Sequence, residues 1–161
     1  MGENKEEIRK EIKGISNYPR AFIDFSPRIP PMKKIKDKSK INVRYCLIAP
    51  FAYAHIYWDP VKYEVFYDIE EPLLTEYETE CRDKIVSTMR EMINFNEIIK
   101  EDLESLLEYI DKRFKFLAVE LGMNLNYNSY RKIFYYICRN FIGFNETDPL
   151  LKDYFVEDIE C

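Results

Sequence analysis

The chain has 161 residues and a net charge of −5, and 47% of its residues are hydrophobic and 16% aromatic. A chain of this length buries roughly 68–70% of the surface that its unfolded form exposes, so one folded domain with a tail is expected and general disorder is excluded. No apolar run reaches the ~20 residues that span a bilayer, and the charged first residues do not resemble a signal peptide, so we expect a protein that is not transmembrane.

The distribution of charge and the spacing of the cysteines narrow the class of protein further. Residues 1–40 carry a net charge of +5, and the remaining residues carry −10. A basic head on an acidic body argues against a nucleic-acid partner, which requires a basic folded face. The cysteines are widely spaced and form no C-x-x-C pair, so we interpret them as reduced thiols of a cytoplasmic protein: Cys46, Cys81, Cys138 and Cys161.

Residues 1–40 are predicted to form a mobile N-terminal segment. It begins with a short charged helix over Asn4–Ile15 and continues as a proline-rich extended stretch from Ser16 to Met32. A lysine run follows, made of Lys33, Lys34, Lys36, Lys38 and Lys40. Such a run is either a solvated linker or a docking patch for an acidic protein or an anionic lipid, so these lysines are a possible partner contact.

Three strands are predicted next. Alternating side chains mark Val43–Ala49 and Val61–Ile69, with an aromatic run over Tyr53–Trp58 between them and a turn at Asp59-Pro60. This pattern is typical of an antiparallel meander with one buried face.

Helical periodicity dominates the rest of the chain. Thr75 and Glu78 have the spacing of a capping box and open a first helix. Its predicted apolar stripe is Tyr77, Cys81, Ile85, either Thr88 or Met89, and Met92. A second helix is predicted from about Glu97 to Leu121, with Gly122 as its stop, and a third from Tyr127 to about Phe141. Across the last two helices we expect burial of Leu106, Ile110, Ile133, Ile137 and Phe141.

The predicted fold class is therefore α+β: a small antiparallel β-meander packed on a bundle of about three α-helices. We assign residues 41–145 to this α+β domain. Thr147-Asp148-Pro149 predicts the start of a short helix, and the period changes to two after Asp153. Residues 146–161 are therefore expected to be a short helix and a strand, which is either the first strand of a following subdomain or an edge strand that pairs back onto the upstream sheet.

The sequence predicts no catalytic, cofactor-binding or metal-binding residues. Its four glycines are too scattered for a phosphate loop. The sole histidine, His55, lies in an aromatic strand without a spaced set of ligands, so a packed or surface histidine is expected. The tyrosines of the strands and of the third helix are interpreted as core and half-buried sheet. We interpret one group of carboxylates as a solvated face: Asp153, Glu157, Asp158 and Glu160.

Two longer sequence segments, called phrases below, resemble those of a known protein family. The first runs from Tyr63 to Thr75 as Y-x-V…E-P-x-L-T, and the second from Tyr135 to Ile159 as YYICRNFIGFNETDPLLKDYFVEDI. Together, from Arg44 to Cys161, the chain resembles the N-terminal region of the archaeal secretion ATPases of the type II secretion, type IV pilus and archaellum class.

The resemblance implies a cytoplasmic position at the inner face of the membrane, between a hexameric motor and its membrane platform protein. Its implied partners are the motor's own ATPase domain, neighbouring subunits and the platform protein. ATP and Mg²⁺ are expected only in a C-terminal RecA-like domain outside this chain, which has no Walker A motif. Two functions stay open: a non-catalytic docking and coupling module of such an ATPase, or a free-standing adaptor or regulator without an ATPase domain. A small enzyme with an unrecognised site is the least favoured reading.

Overall fold

The computed structural model describes residues 14–29, 31, 34–92, 102–143 and 145–156. Its contacts divide the chain into two compact units, each assembled from two separate stretches of sequence. The helical unit comprises Met1–Ala21 and Leu74–Gly143, and the sheet unit comprises Phe22–Leu73 and Phe144–Cys161. A separate sheet and a separate set of helices are the mark of an α+β fold, so the predicted fold class is confirmed.

The long helices of the helical unit are α1 (Glu76–Met92), α2 (Leu103–Glu120) and α3 (Tyr127–Phe141). Each begins at a capping side chain. The predicted capping box is confirmed, since the Thr75 N–H donates to the Glu78 carboxylate at 2.8 Å and the Glu78 N–H donates to Thr75 Oγ1 at 3.2 Å.

The other two helices begin in the same way. Asp102 and Asn126 each accept a hydrogen bond from the backbone N–H three residues further on, which caps α2 and α3. At the end of α2, Gly122 has a φ of 65°, the left-handed conformation that ends a helix without strain in glycine. The predicted stop is therefore confirmed.

The core of the helical unit is a stack of aromatic rings around Tyr130, which is fully buried. The Phe114 ring lies 5.4 Å from the Tyr130 ring at an interplanar angle of 10°, and the Phe134 ring lies 5.8 Å away at 15°. Three predicted core residues are buried: Ile110, Ile133 and Ile137.

The predicted stripes are wrong at several positions near the helix ends. Leu106 and Phe141 are only partly buried, and Leu107, next to Leu106, takes the core position. Tyr77 and Met92 are about half exposed, while Glu78 is buried on α1. Glu78 can occupy an interior position because Lys132 forms an ion pair with its carboxylate.

The first residues of the chain are described only in part. Residues 1–13 of the predicted N-terminal segment lie outside the described residues, and residues 14–16 are helical. In the extended stretch that follows, Ile23 and Phe25 are buried and Phe22 is exposed. Asp24 and Ala49 exchange two backbone hydrogen bonds of 2.9 Å, which fixes this stretch within the sheet unit.

The sheet unit contains β1 (Asn42–Ile48), β2 (Ala52–Asp59) and β3 (Glu64–Glu70) in the order β1-β2-β3, all antiparallel. The predicted meander is confirmed. The third strand begins at Glu64, later than predicted, because Val61 and Tyr63 belong to the turn, where Tyr63 has a φ of 56°.

The end of the sheet unit contains a 3-10 helix (Asn145–Thr147) and α4 (Asp148–Leu151), with Pro149 in its first turn as predicted. Residues 154–156 form a turn and irregular chain rather than a strand, and residues 157–161 lie outside the described residues. The predicted solvated position of Asp153 is wrong. Its Oδ2 accepts hydrogen bonds from the Tyr45 and Tyr67 hydroxyls, both at 2.6 Å, and these two donors allow the carboxylate to be buried.

Candidate partner-contact surface

The lysine run lies at the start of β1. Lys34, Lys36, Lys38 and Lys40 are all exposed, and Lys33 lies outside the described residues. Lys38–Lys40 is a 3-10 helix whose N-cap is Asp37. The Asp37 carboxylate accepts hydrogen bonds from the Ser39 hydroxyl at 2.7 Å and from its N–H at 3.1 Å, and these bonds lower the pKa of Asp37.

One ion pair involves the lysines of this run that the structure describes. Lys40 Nζ lies 3.5 Å from Asp37 Oδ2, but both side chains are more than half exposed, so water screens the pair. The ammonium groups of the described lysines therefore remain accessible to an anionic partner.

Backbone pairing fixes the end of the lysine run against the sheet. The Trp58 N–H donates to the Ile41 carbonyl at 3.0 Å, so the residues after Lys40 continue the line of β1 beside β2. A shallow depression of about 430 Å³ lies there, lined by Ser39, Lys40, Ile41, Asn42, His55, Tyr57 and Trp58. The lysines thus stand beside polar and aromatic side chains of the sheet.

Those side chains belong to the polar sheet face, which we define as Asn42, Arg44, His55, Tyr57, Asp68 and Glu70. The strand register places all six on the same side of the sheet.

His55 and Glu70 organise one part of this face. The Arg44 guanidinium donates to Glu70 at 2.5 Å, while His55 Nδ1 lies 2.9 Å from the same carboxylate and Nε2 lies 2.9 Å from Asn42 Oδ1. The hydrogen bond from Arg44 is the main reason why the pKa of Glu70 is lowered. The histidine is thus a surface residue bound on both ring nitrogens, in line with its predicted packed or surface role.

Aromatic rings support the charged groups of this face. The Arg44 guanidinium lies 3.7 Å from the centre of the Tyr53 ring, and the Lys62 ammonium lies 4.6 Å from that of Phe66. Tyr57 donates a hydrogen bond to Asp68 at 2.8 Å. Arginine and aromatic residues such as Arg44 and Tyr53 are enriched at protein interfaces.

The turn between β2 and β3 exposes apolar side chains at one end of this surface. Val61 is 84% exposed and Tyr63 is 77% exposed. Asp59 fixes the turn, because its Oδ1 accepts hydrogen bonds from the Val61 N–H at 2.8 Å and the Lys62 N–H at 3.2 Å. The interpretation of Tyr63 as half-buried sheet is therefore wrong, and the turn instead presents an ordered apolar tip to solvent.

An apolar groove of about 420 Å³ lies elsewhere in the sheet unit. It is lined by Phe25, Ser26, Pro27, Ile29, Pro31, Leu47, Lys152, Tyr154 and Phe155. Among these described lining residues, Ser26, Lys152 and Tyr154 carry polar groups on their side chains.

In the ranges 14–29, 34–92, 102–143 and 145–156, no three His, Cys, Asp or Glu side chains gather to hold a metal ion. Cys81 and Cys138 are buried, and burial raises the pKa of both thiols. Among the helices that the structure describes, none is long and apolar enough to cross a membrane.

Sequence reasoning identified the lysine run but missed the polar sheet face. The signal was present in the alternation of Arg44 with Tyr45 and of His55 with Ala54. Pairing those residues required the strand register, which the sequence alone does not specify.

Comparison with known proteins found one informative similarity. An uncharacterized protein from Methanocaldococcus jannaschii is 30% identical over 158 residues, which cover 96% of this chain. The chain spans 62% of the length of that relative. No model of a protein family matches the sequence.

Proposed function

We propose that this chain is a non-catalytic docking and coupling module of a secretion, type IV pilus or archaellum assembly ATPase. It would act in the cytoplasm at the inner face of the membrane, between the motor and its platform protein. The observation that carries the proposal is the phrase from Tyr135 to Ile159, which is similar to the N-terminal region of such ATPases.

The positions of that phrase within the fold agree with a structural role. Tyr135, Tyr136, Asp148 and Asp153 are all buried, and Asp153 joins the end of the sheet unit to two tyrosines of its strands. Residues used to build a scaffold leave the surface available for partners. The exposed lysine run and the polar sheet face are the surfaces that we assign to those contacts.

The second candidate, a free-standing adaptor or regulator of the same machine, is favoured by the length of the relative. The matched 158 residues are 62% of that protein, which leaves roughly 100 of its residues outside the match. A RecA-like motor domain requires a parallel sheet built from several strand–helix–strand units of about 30 residues each. The roughly 100 residues of the relative that lie outside the match are few for such a domain.

Direct binding measurements test the proposal. The purified chain is expected to bind the cytoplasmic part of the platform protein, or the ATPase domain, from the same genome. A variant with alanine at Lys34, Lys36, Lys38 and Lys40 should bind more weakly and lose most of the salt dependence, because each clustered lysine contributes about 1 kcal/mol at an anionic surface.

The matched control removes the same amount of charge elsewhere. Lys84, Arg90, Lys112 and Lys152 are also exposed, and their alanine variant should bind the partner nearly as well as the unaltered chain. An equal loss of affinity in both variants would indicate that the lysine run is a solvated linker. Absence of binding to both proteins would reject the assignment to this machine.

ATP hydrolysis tests the enzyme alternative, and the mass of the protein in its source cells separates the adaptor from the module. Because the glycines form no phosphate loop, we expect the chain neither to hydrolyse ATP nor to gain thermal stability from it. Phosphate release above background would instead support an enzyme. An immunoblot of the source cells showing a band near 19.5 kDa would indicate the adaptor, and a much larger band would indicate the module.

A further inference from the structure

The outer edge of β3 is open in the part of the chain that the structure describes. β3 pairs with β2 on one side, and no described strand pairs with it on the other. Each of its seven residues is at least partly exposed, whereas β1 and β2 both contain buried residues. An open strand edge presents unpaired backbone N–H and C=O groups, which is the requirement for adding another strand.

The pairing pattern identifies which backbone groups point outward. The Trp58 N–H donates to Ile41, on the β1 side, so the neighbouring odd-numbered residues of β2 direct their backbone groups toward β3. Their partners on β3 are the even-numbered residues, including Glu64 and Asp68. The N–H and C=O groups of the remaining residues therefore point away from β2: Val65, Tyr67 and Ile69.

The side chains along this edge differ between the two faces of the sheet. The side of the sheet that carries the polar sheet face also carries Glu64, Asp68 and Glu70. The opposite side carries Val65 and Ile69. An added strand that fits this edge has basic residues on the first face and apolar residues on the second, since opposite charges across a strand pair attract. We propose that β3 accepts an extended partner segment in which basic and apolar residues alternate.

A second copy of the chain fits this edge poorly. If two β3 strands paired antiparallel about Tyr67, Glu64 of each copy would lie opposite Glu70 of the other, and like charges directly opposite destabilise a pair. Acidic residues on an edge discourage self-association and still admit a basic strand.

The edge is also held in place before any partner binds. Tyr67 donates to buried Asp153 at 2.6 Å, and Tyr57 on β2 donates to Asp68 at 2.8 Å. Fixed side chains at both positions lower the ordering cost of adding a strand. This inference rests on the geometry of β3 and does not depend on the proposed role in a secretion machine.

A defined peptide probe tests the edge in the full chain. An eight-residue peptide alternating valine with lysine should bind and shift the backbone amide resonances of Val65, Tyr67 and Ile69 more than those of β1. The same peptide with glutamate in place of lysine should bind at least tenfold more weakly, as should the lysine peptide to a Glu64→Lys variant at low salt.

Two further comparisons separate strand addition from simple charge attraction. Val65→Pro removes an outward N–H that takes no part in the pairing with β2, so it should reduce binding tenfold or more, while Val65→Thr retains the N–H and the affinity. Circular dichroism establishes that both variants are folded.

The second comparison leaves the protein unchanged and so does not depend on the folding of a variant. In an antiparallel addition, N-methylation of the peptide's valine amides should abolish binding, and N-methylation of its lysine amides should not. Equal effects of the two N-methylated peptides, unaltered binding by Val65→Pro, or self-association through β3 in place of peptide binding would each overturn the proposal.

Discussion

The helical unit and the sheet unit satisfy their polar groups in different places. In the helical unit, Tyr130 donates to Asp111, whose carboxylate also accepts from Lys115 at 2.7 Å, and the Tyr130 oxygen accepts from the Ala21 N–H at 3.2 Å. Lys115 donates further to the Tyr18 carbonyl at 2.7 Å. This network lies in and around the core, where paired polar groups rigidify a structure.

The sheet unit leaves much of its polar chemistry at the surface. Arg44, His55 and Glu70 are linked on the polar sheet face, with side chains between about a quarter and a half exposed. The strand that borders this face, β3, contains no buried residue. The helical unit thus pairs its polar groups in its core, whereas the sheet unit, to which we assign the proposed partner contacts, pairs many of them at its surface.

The largest effect on stability is expected from removing one ring of the aromatic stack in the helical unit. Phe134→Ala should lower the free energy of unfolding by about 3–5 kcal/mol, because the cavity lies in a fully buried core. Phe116→Ala is the control, since Phe116 is 52% exposed and its loss should cost less than about 0.5 kcal/mol. Urea denaturation measures both, and equal losses would contradict the assigned core.

A smaller loss is expected from the buried carboxylate of the sheet unit. Burial raises the pKa of Tyr45 and of Tyr67, and their hydrogen bonds to Asp153 raise it further, so both hydroxyls remain protonated donors. Asp153→Ala leaves these donors without their acceptor and should cost about 2–3 kcal/mol.

Asp153→Asn is the matched variant for this site. Its amide oxygen can still accept a hydrogen bond, so it should cost less than alanine. Hydrogen exchange should show faster opening of β1 and β3 in the alanine variant. Unchanged exchange there would mean that Asp153 does not hold the end of the sheet unit in place.

The ion pair of Glu78 with Lys132 makes the stability of the helical unit depend on pH. Burial alone would raise the pKa of Glu78, but the Lys132 ammonium and the Thr75 N–H together lower it below the ordinary value of 4.5. A lowered pKa contributes stability that is present above pH 4.5 and is lost as the pH falls through the folded value. We therefore expect the unfolding free energy to fall on acidification below about pH 4.5.

Glu78→Gln tests the origin of that pH dependence. It should cost about 1–2 kcal/mol at pH 7, because the amide accepts a weaker bond from the cap and cannot pair with Lys132 as a charge. Denaturation at pH 7 and pH 3 should show a smaller difference for this variant than for the unaltered chain. An identical pH dependence would assign the acid sensitivity to other carboxylates.

The elements of the fold were predictable because each depends on short-range pattern. Thr75 and Glu78 stand three residues apart, and Gly122 follows a periodic run, so caps and stops could be identified directly. Faces near helix ends were less predictable, because Leu106 and Leu107 fit the apolar stripe equally well until α3 is in place.

The candidate surface was predictable only where charge is continuous along the chain. The lysine run is such a stretch, whereas Arg44 and Glu70 are far apart in sequence and meet through strand register. Asp153 was misread for a related reason. Its two tyrosine donors lie on β1 and β3, and without them a carboxylate in an acidic stretch is expected to be solvated.

The smallest effect should come from the polar sheet face itself. Arg44 and Glu70 are about 50% and 39% exposed in their side chains, and exposed pairs of this kind contribute roughly 0–1 kcal/mol. A double-mutant cycle of Arg44→Ala and Glu70→Ala should therefore give a coupling energy below about 1 kcal/mol, decreasing with added salt. Residues that contribute so little to folding stability are free to serve the proposed binding of a partner. A coupling above about 2 kcal/mol, insensitive to salt, would show that this face holds the sheet together, and the distinction between a stabilising helical unit and a contact-making sheet unit would fail.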